Sequence, residues 1–390
     1  MIMELRMYKY RLYPSYKQGI RLINSLKICK TIYNELLETS INTYKESGRT
    51  LRKFDYNNLI KGKYLIHSQA AQNVSDRVHK SFSNFFRRVK DKSCKKKGFP
   101  RFKSSIRSIT YPQSGFKFMN ERKLKVSKVG NLPIILHRAP KGKIKTMTIK
   151  RNKANQWFAV FSCELPDIKI IHPSKDKIGI DVGIENFAAL SDGTKIENPR
   201  YLIKSEKRLS RLCRRMSKRK KGSKNRFKAR IRIARQYNRI SNQRLDFLHK
   251  LSNTLANKYS SIAVENLVIR NMVKNHHLAK HINDASWNSF MQMLSYKAIR
   301  SGGQLIKVNP RNTSKACSNC GTIIEMSLSK RKFRCSHCGF VCHRDLNASI
   351  NIHDRAGLAR ISTPVGDTVR PSLKARVVES GTICSESQFQ

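Results

Sequence analysis

Acid is what this sequence has least of. Only 25 Asp and Glu stand against 80 Lys and Arg in 390 residues, a formal net charge of +55. A compact particle so basic repels itself unless a polyanion neutralises it. Nucleic acid is therefore the expected partner, with contacts to tens of phosphates rather than one short site. Long apolar runs are missing too: none approaches the roughly eighteen residues of a membrane span. The basic residues are spread along the chain rather than gathered on one amphipathic helix, so no membrane partner is expected. The opening MIMELRMYKYRLYP has no apolar signal-peptide core, which points to a cytoplasmic, nucleoid-associated protein. With 39% hydrophobic and 27% charged residues the chain reads as folded, and its length allows two or three domains.

Ten cysteines are present, and they divide into two sorts. Cys29, Cys94, Cys163, Cys213 and Cys384 are scattered and read as free thiols, many of them core fillers. Cys317, Cys320, Cys335, Cys338 and Cys342 crowd into one segment. The first four make C-x2-C-x14-C-x2-C, two knuckles whose thiolates close a tetrahedron around one structural Zn²⁺. Gly321 and Gly339 follow each pair, where backbone amides turn toward sulfur. Cys342 and His343 are open alternatives for the fourth ligand. A closed site of this kind does no chemistry.

Periodicity sets the domain order. Glu4 to Leu12 alternates as a half-buried strand. A helix follows from Tyr16, with Gly48 closing it. A second helix after Ser68 carries Ala71, Val74, Val78, Phe82, Phe85 and Phe86 on one stripe. The loop from Lys90 to Ser104 is basic. From Thr110 to Leu165 the period switches to two, as in a small barrel or sandwich. The first strand would join those later ones, which makes the helices an insertion. After a linker come the strand IGIDVG and its hairpin partner ENFAALSDG. Two long basic helices (203–220 and 224–258), strand SSIAVEN, a helix around Trp287 and strand QLIKVNP follow. The cysteine segment and a helix DLNASINI come last, with a tail rich in Ser, Thr, Gly and Pro.

In so basic a chain, an acid ending an apolar run is informative. Asp181 ends Ile178-Gly-Ile180 and Glu265 ends Ser261 to Val264, where a carboxylate is expensive unless paired or metal-bound. Asp345 opens the last helix, where helix capping is an equally good account. An acid on a first strand, one on a later strand and one on the final helix is the RuvC/RNase H arrangement. There the first two strands form a hairpin and carboxylates from separated elements meet at one sheet edge. Three such groups hold two Mg²⁺ or Mn²⁺ ions, with Asp181 bridging both.

The strings GIDVGIENFAALSDG, VENL and KACSNCG…FRCSHCGFVCHRDLNASINI resemble the transposon-encoded TnpB (OrfB-type) proteins, related to type V CRISPR effectors. YKYRLYPSYKQ and GFPRFKS are similar to that family's N-terminal region. The resemblance implies an RNA-guided DNA endonuclease with a guide RNA from the transposon end. Its target would be double-stranded DNA beside a short adjacent motif, cut by two-metal phosphodiester hydrolysis. The implied fold is α+β and multidomain. A wedge β-barrel (1–15 and 109–170) carries a helical recognition lobe (16–108). A RuvC-like α/β nuclease (175–312 and 343–356) carries a zinc-binding insertion (313–342), and a disordered tail spans 357–390. A monomer is the favoured state. The catalytic acids map onto Asp181, Glu265 and Asp345, and the zinc ligands onto Cys317, Cys320, Cys335 and Cys338.

Further residues are candidates for nucleic-acid contact. Arg208, Arg211, Arg214 and Arg215, with Lys218, Arg219 and Lys220, most simply track phosphates. Arg344 fits a phosphate contact, the steadying of a carboxylate, or a plain surface ion pair. Arg311, Thr313 and Ser314 are candidates for substrate contact. For motif reading, Gln69, Gln72, Asn73 and Lys80 share a polar helix flank, and Tyr111 and Gln113 lie on the first later strand. Ordinary surface roles are open to all six. Two rival readings are a guide-dependent DNA-binding repressor that does not cut, and a transposase that joins strands. A third is a plain zinc-ribbon nucleic-acid binder, for which Asp181→Ala would change nothing.

Overall fold

The computed structural model describes residues 4–94, 97–166, 171–327 and 330–358. Residues 167–170 of the linker and the expected tail beyond residue 358, Cys384 included, lie outside them. The chain divides into two compact units, Met1–Ile168 and Lys169–Gln390.

The first unit opens with β1 (Glu4–Leu12), continues through α1 (Tyr16–Ser47), α2 (Lys53–Ile60) and α3 (Ser68–Lys90), and ends in six strands. These are β2 (Ser108–Pro112), β3 (Phe116–Asn120), β4 (Lys123–Val126), β5 (Gly130–Ile135), β6 (Lys143–Arg151) and β7 (Trp157–Leu165). They form one sheet in the order β2-β6-β7-β1-β5-β4-β3, antiparallel throughout. Its edge strands, β2 and β3, are consecutive in sequence and joined only by residues 113–115, so the sheet must curl until its edges meet at that corner. Tyr8, Tyr10 and Leu12 point into the curl, where Phe161 meets Tyr10, Phe116 and Phe118. The helices lie between the first strand and the rest, as the period change predicts.

Local chemistry sets the helix ends. Ser15 Oγ accepts from Gln18 N at 3.3 Å while Gln18 Oε1 accepts from Ser15 N at 2.9 Å, a reciprocal cap. Gly48, at φ 66°, closes α1 in the left-handed region. On α3 the expected stripe divides. Ala71, Val74 and Val78 enter the core, whereas Phe82 and Phe85 stand half-buried and meet the ring of Phe99 from the basic loop.

The second unit starts with β8 (Lys177–Val182), β9 (Asn186–Leu190) and β10 (Lys195–Glu197), then the basic helices α4 (Tyr201–Ser217) and α5 (Lys224–Lys258). Next are β11 (Ser261–Glu265), α6 (Ile269–Met272), α7 (His276–Ala285), α8 (Trp287–Arg300) and β12 (Gln304–Val308). A small hairpin, β13 (Lys332–Arg334) with β14 (Val341–His343), precedes α9 (Arg344–Arg355). The five-stranded sheet runs β10-β9-β8-β11-β12. Its first three strands are antiparallel, and β11 and β12 run parallel to β8.

Strand alternation splits this sheet into two faces. Ile178, Ile180, Ile262 and Val264 join Leu248, Leu255, Phe290 and Leu294 in the core beneath α5 and α8. Gly179, Asp181, Ala263 and Glu265 point the other way, toward α9, where Ala263, Val308 and Ile352 form a smaller core. Gly179 sets that packing distance. A Cβ there would stand 2.2 Å from Ser349 O and 2.7 Å from His353 N. Gly179→Ala is therefore expected to lower stability by about 1–3 kcal/mol through overpacking. Gly19→Ala in α1, where an added Cβ meets nothing within 4 Å, should raise it by about 0.5–1 kcal/mol. Urea unfolding of the two variants checks the contrast; a neutral Gly179→Ala would remove glycine as the reason α9 lies so close.

Candidate active site and metal centre

Asp181 and Glu265 end adjacent parallel strands. Val264 pairs with Ile180, so the next residues on each strand, Glu265 and Asp181, stand at one level on the α9 face. Gly179 lies against Ser349 and His353. Two residues up the strand is about 6.6 Å, and one helical turn back from Ser349 is about 6 Å, which brings the start of α9 beside Asp181. The charges on Glu265 and Asp345 are both felt at Asp181. The Asp181 carboxyl is pushed well above its ordinary range by burial first, then by those two acids. Arg344 and the Val182 N–H offset part of this. Burial also raises Glu265, against the pull of the Thr313 hydroxyl and of Arg355.

Asp345 is not the cap of its helix. His343 occupies that position, its Nδ1 accepting from Asp345 N at 3.3 Å, which leaves the carboxylate free. Asp345 is 9% exposed, and Arg331 Nη1 stands 3.8 Å from its Oδ1 while Arg331 Nε holds Glu185 at 2.8 Å. Two acids thus act on a third buried one, Asp181, and oxygen donors of this kind are the ones hard divalent cations take; among the described residues only the four cysteines below stand close enough to share one ion.

Cys317, Cys320, Cys335 and Cys338 converge, with all four sulfurs within 4.8 Å of one another. Cys317 and Cys338 are 3.7 Å apart and Cys320 and Cys335 3.6 Å. A tetrahedral ion with bonds of about 2.3 Å to sulfur requires about 3.8 Å, so the set fits such an ion. Burial pushes the Cys317 thiol up to about 12, whereas the Thr322 hydroxyl and N–H hold Cys320 down at about 5. Neither Cys342 nor His343 belongs to the set. Cys342 packs against Phe333 and Cys335, with burial pushing its thiol up to about 11, and His343 caps α9. The open question of the fourth ligand closes on the two knuckles.

The similarities of the chain agree with this layout. Residues 160–276 match a family described as "Probable transposase" (OrfB-type), and residues 287–352 match a "Cas12f1-like, TNB domain". Residues 1–49 match a "Helix-turn-helix domain", although that span folds as one strand and one long helix. A Streptomyces pristinaespiralis protein named "Putative RNA-guided DNA endonuclease" is 32% identical over 98% of this chain and 96% of its own. The chain belongs to the TnpB (OrfB-type) family, related to type V effectors. InsQ of Escherichia coli K12, which bears the same description, is 29% identical over 90% of this chain and 92% of its own. The Cas12f1 chain of a cryo-EM complex with sgRNA and target DNA shares the fold. It has a TM-score of 0.56 at 16% identity, covering 90% of this chain and 98% of that one.

The other expected contact residues fare unevenly. Arg208, Arg211, Arg214 and Arg215 are all exposed on α4, which buries only Leu209. Arg311 is exposed on the loop after β12. Arg344 is only 8% exposed, so the surface ion pair is ruled out; its Nη2 donates to Ser314 Oγ at 3.2 Å. Thr313 is no substrate contact either, being 3% exposed and bonded through its hydroxyl to Glu265. In the first unit Tyr111 needs correction. It is 1% exposed and packed on His67, because it shares the inward face of β2 with Ile109. Gln69 Oε1 is taken by Ser114 N, which ties α3 to the turn after β2, and Asn73 Oδ1 is taken by Arg77 Nε within α3 itself. Gln72, Lys80 and Gln113 are exposed.

The residues that sequence reasoning passed over are polar side chains buried by α9. Asn347 and Asn351 both reach the loop before Cys317. Their spacing of four, which puts both on one face of α9, was the available signal.

Two outcomes are expected from this geometry. Cys335→Ser should lose most of its bound zinc and soften the ribbon; retention of full zinc by that variant would exclude the four-sulfur set. Asp181→Asn should raise the urea midpoint of divalent-free protein at neutral pH. The sign follows from the raised native pKa. Between the unfolded value near ~3.9 and the native one, the native state binds more protons, so stability falls as pH rises. The gain in the variant should therefore shrink toward acid pH, and a pH-independent gain would refute that origin.

Proposed function

We propose that this chain is an RNA-guided DNA endonuclease that hydrolyses phosphodiester bonds at Asp181, Glu265 and Asp345. The single observation that carries the reading is the convergence of three acids on one sheet face in a chain of net charge +55. Folding gains nothing from that placement, since two of the carboxyls are driven toward protonation by it. The β8–β9 hairpin, the acid at the end of β11 and the acid on the last helix support a RuvC-like centre. The family membership and the names of its relatives support guidance by RNA and action on DNA.

Divalent metal ions held by Asp181, Glu265 and Asp345 would supply an activated water and charge stabilisation for the departing 3′-oxygen of the cut strand. The residues divide the remaining work. Asp181, Glu265 and Asp345 provide hard oxygen ligands that favour Mg²⁺ or Mn²⁺. Arg344 offsets the charge at Asp181, and Thr313 fixes Glu265. The exposed arginines of α4 bind phosphates, and Arg311 stands at the loop beside the centre. The four cysteines take Zn²⁺ and hold the ribbon. A guide RNA from the transposon end supplies sequence specificity. Exposed Gln72, Lys80 and Gln113 remain the candidates for reading the adjacent motif. Among the described residues no helix is long and apolar enough to cross a membrane, and we place the protein, as a monomer, with the nucleoid.

The test uses the full-length protein purified with its RNA, a matched plasmid and Mg²⁺. Asp181→Ala should reduce cutting to background with RNA content unchanged, because it removes a metal ligand and leaves the basic surface intact. Cutting by that variant at the wild-type rate would move the centre elsewhere. Binding without cutting by the wild-type complex would make the protein a repressor.

A further inference from the structure

Helix α9 has two working faces. One lies on β8 through Gly179 and carries Asp345 to the sheet edge. The other grips the first cysteine knuckle. Asn347, fully buried, accepts from Ser318 N at 2.9 Å and donates to Ala316 O at 2.7 Å. Ser318 lies between Cys317 and Cys320. Asn351, one turn on, donates to Ala316 O at 2.7 Å and to Thr313 O at 2.8 Å. Thr313 then gives its hydroxyl proton to Glu265. A continuous set of hydrogen bonds thus runs from the sulfur cluster to a carboxylate of the candidate centre. Both asparagines are buried, and their bonds to Ser318 N and Thr313 O are fully so, which makes these costly to leave unmade.

We propose that Asn347 and Asn351 are positioning residues that make the carboxylate centre depend on the four-cysteine knuckle. With the knuckle closed, the loop from Thr313 to Ser318 is held on α9 and the Thr313 hydroxyl stays on Glu265. When the knuckle opens, that loop loses its far anchor, Thr313 disengages, and Glu265 no longer holds its divalent ion in place. The four-cysteine ion is then a control on metal affinity at the active centre, beyond being a brace for the ribbon. The inference rests on the reading of the three acids as a divalent-metal site.

Mn²⁺ binding to the full-length RNA complex, followed by electron paramagnetic resonance, tests it without relying on cleavage. Asn351→Ala and Thr313→Val should each weaken Mn²⁺ binding by about 10-fold or more, the usual cost of losing an outer-shell partner. Zinc content should stay at the wild-type level in both. Thr313→Ser should restore wild-type binding, which a loss of packing would not predict. Wild-type complex stripped of zinc should weaken similarly, and Thr313→Val should add nothing further to the stripped protein. Wild-type Mn²⁺ affinity in Asn351→Ala and Thr313→Val overturns the coupling. If Asn351→Ala does not fold, Thr313→Val alone decides. Asp181→Ala separates the two levels. Should that variant bind Mn²⁺ as the wild type does, the three-acid site itself is wrong. If it loses Mn²⁺ while the other two variants keep it, only the coupling fails.

Discussion

Holding Glu265 and Asp345 within electrostatic reach of the buried Asp181 is the constraint around which the α9 side of the second unit is arranged. At an effective dielectric constant near 20, two unit charges 4 Å apart repel by about 4 kcal/mol. The fold nevertheless brings Glu265, on the same sheet face, and Asp345, on α9, each within electrostatic reach of Asp181. Arg344 offsets part of the charge at Asp181 and Arg355 part of that at Glu265. The features that hold α9 against β8 work against this repulsion. Gly179 admits the helix backbone, Ala348 and Ser349 keep the contact thin, and Ile352 buries its side chain with Ala263 and Val308.

The opposite sign dominates everywhere else, and the two facts are connected. A surface with so many cations and so few acids attracts phosphate backbones over a Debye length of about 8 Å in physiological salt. Placed beside that surface, an acidic centre would merely repel a nucleic acid unless its charge were cancelled. Divalent ions at the proposed centre would resolve the conflict, turning an anionic patch into a place where phosphate is welcome. The exposed arginines of α4 and the three acids are in this sense a single electrostatic design.

Legibility in the sequence followed the strength of the local pattern. The hairpin of β8 and β9, the helix start at Tyr16, the stop at Gly48 and the paired knuckles were readable because each is written in adjacent residues. Asp345 was ambiguous because an acid at a helix start fits a cap or a ligand equally well; His343 taking the cap removes the first account. Tyr111 was misplaced although strand parity with Ile109 pointed inward. Thr313 was read as a substrate contact because its partner Glu265 is distant in the chain. The most buried acid of the unit, Asp284, went unnoticed altogether. It holds Leu202 N at 3.0 Å and Arg244 Nη2 at 2.6 Å, a purely structural anchor for α4. Scarcity of acid flagged which carboxylates to examine, but burial alone does not distinguish an anchor from a metal ligand. The company of other acids does.

The position of the cysteine ribbon in the chain explains why it bears on the centre. It occupies the connection between β12, which ends at Val308, and α9, which starts at Arg344. That connection has 35 residues, and its ends must place Asp345 opposite Asp181. Cross-linking the knuckles through one ion shortens the effective loop to about a third, which by loop-closure entropy contributes only about 1 kcal/mol. Entropy alone is thus too small to account for so elaborate an insertion. Four hydrogen bonds made by Asn347 and Asn351, two of them fully buried, at about 1 kcal/mol net each and costlier to leave unmade, outweigh it. The ribbon fixes where α9 lies chiefly by what it bonds to, and only secondarily by how much chain it ties up.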